Sequence, residues 1–276
     1  MISLHDLHQQ ADPIVMLTAY DYPSARLADE AGVDMILVGA SVGMVVHGLE
    51  TTLPVTMEMM ILHCQAVMRG VARAFVVGDM PFMSYQTSPR DALRNAGRML
   101  AEGGVHAVKL EGGAPVVETV RTLVRAGIAV QGHIGLTPQS IRALGGWKAQ
   151  GKTIERARQL IHDAKALEEA GAFSIVLEAV PAKLAGLITA QVGVPTIGIG
   201  AGGGTDGQGL VMHDGLNLSF TVQPRFSKQY IDAAEAIRAA YGQYIEEVRA
   251  GTFPQDDAHG FSIPDDVWEV LREEFG

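Results

Sequence analysis

The sequence EAGVDMILVG at residues 30–39 decides the fold, because its pattern returns three times along the chain. The other copies are EGGVHAVKLEG at 102–112, RAGIAVQGHIG at 125–135 and EAGAFSIVLEAV at 169–180. In each copy a glycine stands where a helix would end in a left-handed residue, and an apolar run follows it directly. Each copy therefore predicts the end of a helix joined to a buried strand.

Working outward from these copies, similar short apolar runs predict eight strands in all. The predicted strands cover residues 14–20, 35–39, 74–79, 105–111, 128–133, 174–178, 196–200 and 209–213. Between them lie helical patterns at 23–31, 57–71, 89–103, 115–126, 154–170 and 182–192. Apolar strands that alternate with helices are typical of a parallel sheet covered by helices.

Eight strand–helix units favour a closed barrel. We therefore predict an α/β fold, a (β/α)8 TIM-type barrel that forms a single domain over residues 1–276 with a C-terminal helical extension. An open Rossmann-type sheet is the alternative, but no G-x-G-x-x-G follows the first strand. The segment 141–152 predicts a loop over the barrel mouth, and 228–249 predicts a long amphipathic helix. The tail 251–276 should end in a short helix that is a candidate for packing on a neighbouring subunit.

Composition excludes several classes of function. The formal net charge of −10 argues against a nucleic-acid or anionic-membrane surface. The one cysteine, Cys64, permits no intramolecular disulfide and is expected to be a buried, unreactive thiol. The first residues lack the pattern of a signal peptide, and no apolar stretch is long enough for a membrane span. We expect a cytoplasmic protein.

Polar residues fall at the predicted carboxyl ends of the strands, where barrel enzymes carry their chemistry. Some of these residues have an ordinary structural explanation. Asp21 and Asp214 are typical of helix caps or turns, and His213 is typical of a core histidine. The loop 200–204, sequence GAGGG, is equally compatible with anion binding through backbone N–H groups and with a tight turn.

Five residues at these strand ends are harder to explain structurally. They are Asp79, Lys109, Glu111, His133 and Glu178. Charged residues within apolar strands are costly unless they are paired or ligated. Lys109 and Glu111 are two residues apart, so both should face the barrel interior. Either a structural salt bridge or a site for a hard divalent cation fits this set.

An ordered series of motifs over almost the whole chain resembles the ketopantoate hydroxymethyltransferase family. The motifs are TAYD (18–21), GMVV (43–46), TLPVT (52–56), DMPFMSY (79–85), VKLEGG (108–113), GHIGLTP (132–138), LGGWK (144–148), LEAVP (177–181), TIGIGA (196–201), DGQ (206–208) and MHD (212–214). The resemblance implies a TIM-type barrel, a Mg²⁺-assisted reaction and a homo-oligomer, which in this family suggests a decamer. It also implies hydroxymethyl transfer from 5,10-methylenetetrahydrofolate to 3-methyl-2-oxobutanoate, which gives 2-dehydropantoate for pantothenate biosynthesis.

The resemblance also assigns roles to individual residues. Asp79 and Glu111 match metal ligands. Ser41 and Lys109 match residues that contact the oxo acid. His133 matches a residue that lines the substrate site, and Glu178 matches the general base.

One position departs from the family pattern at a functional residue. The family has G-D-S-x-G-M after the second strand, with the Asp as a metal ligand, whereas this chain has Ala40. Smaller departures occur at Gly203, Thr205 and Gly260. Magnesium commonly takes only one or two carboxylates, so Asp79 and Glu111 could still hold it, more weakly, with water and substrate. A natural or deliberate replacement, and a member with altered or lost activity, are equally compatible with this position.

The reaction that the resemblance implies requires enolate chemistry on a 2-oxo acid. Glu178 would remove the proton at C3, Lys109 would place positive charge near the enolate, and His133 would orient substrate or carry a proton. One alternative is a metal-dependent C–C lyase or aldolase on another 2-oxo acid, as in the phosphoenolpyruvate mutase and isocitrate lyase group. Another is a catalytically impaired paralogue that acts as a subunit or a ligand sensor.

Overall fold

The computed structural model describes residues 1–220 and 224–276, which divide into two compact units. The first unit, Met1–Tyr230, contains a closed barrel in which each strand pairs in parallel with the next and the eighth pairs with the first. The strands are β1 Ile14–Thr18, β2 Met35–Val38, β3 Phe75–Asp79, β4 Ala107–Glu111, β5 Ala129–Gly135, β6 Ser174–Glu178, β7 Thr196–Ile199 and β8 Gly207–Leu210. The predicted (β/α)8 barrel is confirmed.

Helices cover the outside of the barrel and fill its connections. In the first unit they are α1 Leu4–Gln9, α2 Tyr22–Ala31, α3 Val42–Val45, α4 Met57–Gly70, α5 Pro89–Ala101, α6 Val117–Arg125, α7 Ile154–Glu169, α8 Ala182–Thr189 and α9 Met212–Gly215. The six predicted helices correspond to α2 and α4–α8, whereas the short helices α1, α3 and α9 were not predicted. Two 3-10 turns, Ala114–Val116 and Pro138–Ser140, follow β4 and β5.

Local sequence signals explain where several helices begin and end. Ser88 caps α5 by accepting the N–H of Asp91, and proline occupies the first turn, where its missing N–H costs nothing. Thr56 and Thr153 cap α4 and α7 in the same way. At the end of α2, Gly32 adopts φ 94°, a left-handed conformation that allows the chain to turn into β2.

The apolar core of the first unit has two layers. The outward-facing strand residues and the helices form one layer, which includes Val76, Val108 and Ile175. The inward-facing residues near the amino ends of the strands form the second layer, which includes Met35 and Val77. The alternation of a strand's side chains assigns neighbouring residues to different layers.

The position of the eighth strand was predicted wrongly. The apolar residues at 210–212 suggested a strand at 209–213, but β8 covers Gly207–Leu210. Gly207 pairs with Ile14 of β1 and Ile197 of β7, in a space where a Cβ would lie 2.5 Å from the Ile14 carbonyl oxygen. The close approach requires a glycine, so Gly207 belongs to the paired strand, which ends before the short helix α9.

Residues 141–152 form turns without a regular helix or strand, as predicted, and they lie at the carboxyl ends of β5 and β6. The Gln150 N–H donates to the Ala179 carbonyl at 2.9 Å. Leu144 packs with Leu136 and Ile141. This segment therefore belongs to the same end of the barrel as the charged strand residues.

The second unit, Ile231–Gly276, is helical and contains α10 Ala233–Ala250, α11 Asp256–His259 and α12 Asp265–Phe275. Helix α10 corresponds to the predicted long helix, and α12 to the predicted helix of the tail. Whether the chain folds as one domain, and whether the tail packs on a neighbouring subunit, stay predictions. No helix in residues 1–220 or 224–276 is long and apolar enough to cross a membrane.

Candidate active site

Strand register brings the predicted charged residues to one height inside the barrel. Asp79 on β3 pairs with Lys109 on β4, and Glu111 on β4 pairs with His133 on β5. Glu178 on β6 is in register with Gly135, two residues beyond His133 on β5. Because parallel strands end at the same edge, these five side chains meet at the carboxyl end of the barrel.

The ammonium group of Lys109 is the centre of the cluster. Its Nζ lies 2.7 Å from Asp79 Oδ1 and 4.0 Å from Glu111 Oε1, and all three side chains are at most 5% exposed. Burial lowers the pKa of Lys109, but the charges of Asp79 and Glu111 outweigh it, and the net shift is upward. Lys109 therefore stays charged.

The second carboxylate oxygen of Asp79 identifies what position 40 contributes. Asp79 Oδ2 accepts the backbone N–H of Ala40 at 2.9 Å. The residue after β2 thus holds the carboxylate through its backbone, while its methyl side chain supplies no oxygen. At position 40 the site therefore has a backbone donor to Asp79, but no carboxylate in addition to those of Asp79 and Glu111.

Glu111 is held among groups that sequence analysis did not identify. Glu111 Oε2 accepts the Gln139 N–H at 2.9 Å, and the Tyr85 hydroxyl accepts the backbone N–H of Glu111 at 3.1 Å. The same hydroxyl lies 2.9 Å from Gln139 Oε1. Burial raises the pKa of Glu111 to about 7, against the opposing charge of Lys109. The Tyr85 position lay within a recognised motif, but nothing in the sequence indicated Gln139 as a partner.

His133 connects the charged cluster to Glu178. Its Nδ1 lies 3.2 Å from Lys109 Nζ and its Nε2 lies 3.2 Å from Glu178 Oε2. Because an ammonium group only donates, Nδ1 must accept, and the proton of the neutral ring then lies on Nε2, facing Glu178. The Nε2–Oε2 contact is off the line of an ideal hydrogen bond.

Glu178 is the member of the cluster with access to solvent. Its side chain is 12% exposed, compared with 3% for His133. The next residue, Ala179, has φ 49°, a left-handed conformation that is uncommon for a residue with a Cβ. A partly exposed carboxylate at the rim can reach a molecule in the barrel mouth.

Ser41 lies beside a tyrosine rather than within the charged cluster. Its Oγ is 2.8 Å from the Tyr20 hydroxyl, and burial raises the pKa of Tyr20 to about 12. Tyr20 therefore stays protonated, and its hydroxyl fixes Ser41 at the start of α3.

The weaker sequence candidates have structural roles. Asp21 caps α2 by accepting the Ser24 N–H, as predicted. Asp214 is buried and accepts the Ser219 hydroxyl at 2.6 Å. The prediction that residues 213–214 end the eighth strand was wrong, because both lie on α9, where His213 packs against the Tyr20 ring.

The loop after β7 has the geometry of a tight turn. Gly200 and Gly202 have φ values of 63° and 78°, and the Gly202 carbonyl accepts the Gln208 side chain at 2.9 Å. Cys64 is buried on α4 as predicted, and burial raises the pKa of its thiol to about 12.

Solved structures share this architecture at low sequence identity. A phosphoenolpyruvate phosphomutase from Streptomyces platensis subsp. rosaceus superposes with a TM-score of 0.63 at 15% identity, over 98% of this chain and 94% of that chain. A 2,3-dimethylmalate lyase, a member of the PEP mutase/isocitrate lyase superfamily, gives a TM-score of 0.57 at 20% identity, over 98% and 94% of the two chains. At this level of identity the likeness establishes the fold alone.

Sequence relatives are far closer. Proteins named 3-methyl-2-oxobutanoate hydroxymethyltransferase include one from Syntrophotalea carbinolica, 56% identical over 95% of this chain and 98% of that protein. Another, from Carboxydothermus hydrogenoformans, is 54% identical over 98% of this chain and 97% of that protein. The family model described as ketopantoate hydroxymethyltransferase matches residues 1–256. The chain therefore belongs to the ketopantoate hydroxymethyltransferase family of transferase enzymes.

Proposed function

We propose that this chain transfers a hydroxymethyl group from 5,10-methylenetetrahydrofolate to 3-methyl-2-oxobutanoate and so forms 2-dehydropantoate, a step of pantothenate biosynthesis. Relatives with more than half of their residues identical bear the name of this reaction. The single observation that carries the proposal is the continuous contact from Asp79 through Lys109 and His133 to Glu178 at the barrel mouth. It joins a fixed positive charge to a carboxylate that can act as a base.

The two buried carboxylates fit a magnesium ion. Asp79 Oδ1 lies 2.7 Å from Lys109 Nζ and Glu111 Oε1 lies 4.0 Å from it, and each of these carboxylate oxygens has a further electron pair that could bind a cation. Within the described residues, no cluster of three or more metal-binding side chains occurs. Asp79 and Glu111 would therefore hold the ion, and water and substrate would complete its six oxygens. When bound, the ion stabilises negative charge on the keto oxygen of the substrate as a Lewis acid.

Lys109 supplies a second, permanent positive charge. It is buried and its pKa is raised, so the ammonium group faces the oxo acid in its charged form. Negative charge that develops on the substrate oxygen is stabilised more strongly in this dry site than it would be in water. Ser41, whose Oγ is held by the Tyr20 hydroxyl, would hydrogen-bond the same oxo acid.

Glu178 removes the proton at C3 of the oxo acid. Its position at the rim gives it access to the substrate, and the nearby His133 Nε2 orients the carboxylate. The carbanion then forms a C–C bond to the methylene carbon of the folate. Both bonds from that carbon to folate nitrogens break, water supplies the hydroxyl oxygen, Glu178 returns its proton, and tetrahydrofolate leaves. General-base catalysis of this kind typically contributes a factor of about 10² to 10⁴ in rate.

The Ala40 position favours a second candidate function. Because Asp79 has a backbone donor there but no neighbouring carboxylate, the metal should bind more weakly than in members with an Asp. An impaired hydroxymethyltransferase, or a metal-dependent lyase or aldolase on another 2-oxo acid, would follow from that loss.

A cytoplasmic location and a homo-oligomer, decameric in this family, complete the proposal.

Formation of 2-dehydropantoate from both substrates over a range of Mg²⁺ concentrations tests the proposal. We expect turnover in the unmodified protein. In Ala40→Asp we expect the Mg²⁺ concentration that gives half-maximal turnover to fall about tenfold. The side chain of Ala40→Asn has the size of the Asp side chain but no charge, so this variant should need as much Mg²⁺ as the unmodified protein. Product formed from other 2-oxo acids without folate, and none from 3-methyl-2-oxobutanoate, would overturn the proposal in favour of the lyase.

A further inference from the structure

Two histidines outside the charged cluster bring their ring nitrogens together. His47 lies in the connection between α3 and α4, and His63 lies on α4. Their Nε2 atoms are 2.9 Å apart, and the two rings meet edge to face with centroids 5.1 Å apart. The proposed hydroxymethyl transfer uses neither residue.

The tautomer of His63 is fixed by a backbone carbonyl. His63 Nδ1 lies 2.6 Å from the Tyr20 carbonyl oxygen. A carbonyl only accepts hydrogen bonds, so Nδ1 carries the proton and Nε2 of the neutral ring holds an electron pair, which accepts a hydrogen bond from His47 Nε2 in the absence of an ion. This electron pair points at His47. A histidine whose far nitrogen donates to a carbonyl while its near nitrogen faces a second ligand has the arrangement of a metal-bound imidazole.

We propose that His47 and His63 form a second cation site, for a borderline transition-metal ion such as Zn²⁺. Imidazole nitrogens select zinc, copper or nickel, whereas Mg²⁺ selects the carboxylate oxygens of the barrel site. The two sites therefore differ in both residues and metal preference.

A side-chain movement of His47 converts the observed contact into a coordinated ion. An ion bound at about 2.0 Å along the electron pair of His63 Nε2 would occupy the line to His47, so His47 Nε2 must swing aside by about 2 Å to bind the same ion tetrahedrally. His47 is exposed and His63 is partly exposed, which leaves room for that shift and for water ligands. No third His, Cys, Asp or Glu of the described residues completes a metal cluster, so water must fill the remaining positions.

The site would tether the segment that leads from Ser41 to α4. His63 is attached to the Tyr20 backbone, and the Tyr20 hydroxyl is attached to Ser41. An ion bound to His47, near the start of the same segment, would join that part of the segment to α4. Metal binding would then fix the start of the connection beside the proposed substrate site.

Isothermal titration of Zn²⁺ into the full-length protein, held in saturating Mg²⁺ so that the barrel carboxylates are occupied, tests the proposal. We expect one Zn²⁺ per chain, with affinity reduced about tenfold or more in His47→Ala and in His63→Ala. His162→Ala removes an exposed histidine from α7 and should leave the titration unchanged. His47 is exposed, so its replacement does not threaten folding.

The electron paramagnetic resonance spectrum of bound Cu²⁺ provides a second readout. Coupling to two imidazole nitrogens is expected in the unmodified protein, and coupling to one in His47→Ala. Equal Zn²⁺ affinity in the protein and in both histidine variants would overturn the proposal. Loss of all Zn²⁺ binding in saturating Mg²⁺ would also overturn it, because it would place the ion at the barrel carboxylates.

Discussion

The two ends of the barrel interior are built from the same strands but from opposite kinds of side chain. Near the amino end, the inward positions hold apolar residues, among them Phe75 and Val77 on β3 and Ala107 on β4. Two residues after Val77 and Ala107, the same strands present Asp79 and Lys109. One step of the strand's two-residue period, about 6.6 Å, separates the apolar end from the charged end.

Burial does not distinguish these two ends. Val77 is fully buried, and Asp79 and Lys109 are almost equally so. The two ends differ in whether their side chains need partners, because a buried charge is tolerated only when it is paired. The apolar end stabilises the barrel by its own contacts, whereas each group of the charged end depends on its partners. Substitutions at the two ends should therefore fail in different ways.

Lys109→Met should produce the largest effect on stability. It leaves Asp79 and Glu111 buried without a counter-charge, and breaking such a pair typically costs about 3 to 5 kcal/mol. Denaturant unfolding of the metal-free protein measures the loss, and turnover should disappear as well. Lys183→Met on α8 removes an exposed lysine and should change neither quantity. Unchanged stability in Lys109→Met would show that the charged end does not depend on its cation.

Leu37→Ala tests the apolar end, and its effect on stability should be slightly smaller than that of Lys109→Met. Leu37 is buried in the inner layer, and removing its side chain should cost about 3 kcal/mol of unfolding free energy. Turnover, measured well below the unfolding temperature, should stay close to that of the unmodified protein. Leu27→Ala on α2, whose side chain is 67% exposed, is the control. A large loss of turnover in folded Leu37→Ala would mean that the two ends are coupled.

Glu111→Gln should change the pH dependence of stability, and per pH unit this is the smallest of these effects. Because the folded pKa of about 7 lies above the ordinary value of 4.5, the folded state binds the proton more tightly. The stabilisation is complete below pH 4.5 and is lost as the pH rises to about 7, with a slope of about 1 kcal/mol per pH unit.

Unfolding of the metal-free protein between these pH values measures that slope. Glu111→Gln cannot titrate and should remove it, whereas Glu169→Gln, on the exposed face of α7, should retain it. The same slope in Glu111→Gln would assign the titration to another group.

Sequence patterns predicted the apolar end and the placement of the charged end well. The repeated glycine–strand pattern predicted the barrel, and the spacing of Lys109 and Glu111 predicted that both face inward. These properties follow from local periodicity, which each strand carries in its own residues. The strand-eight prediction failed because the apolar residues at 210–212 outweighed Gly207, whose role depends on contact with β1.

The contacts within the charged end could not be predicted from sequence. Tyr85 and Gln139 hold Glu111, yet they lie 26 and 28 residues away from it along the chain. The hydrogen bond to Asp79 comes from the backbone N–H of Ala40, so the residue type at position 40 does not indicate it. The raised pKa of Glu111 depends on burial by several strands at once. Properties that arise from partners distant along the chain appear only in the folded barrel.

The most direct test of the proposed catalytic cluster is proton exchange at C3 of 3-methyl-2-oxobutanoate in D₂O with Mg²⁺, without folate. Exchange requires the base and the positively charged site but not the second substrate. We expect exchange in the unmodified protein and in Glu169→Gln, and a rate lower by about a hundredfold or more in folded Glu178→Gln. Exchange at the unmodified rate in Glu178→Gln would contradict the account, because another group would then be the base.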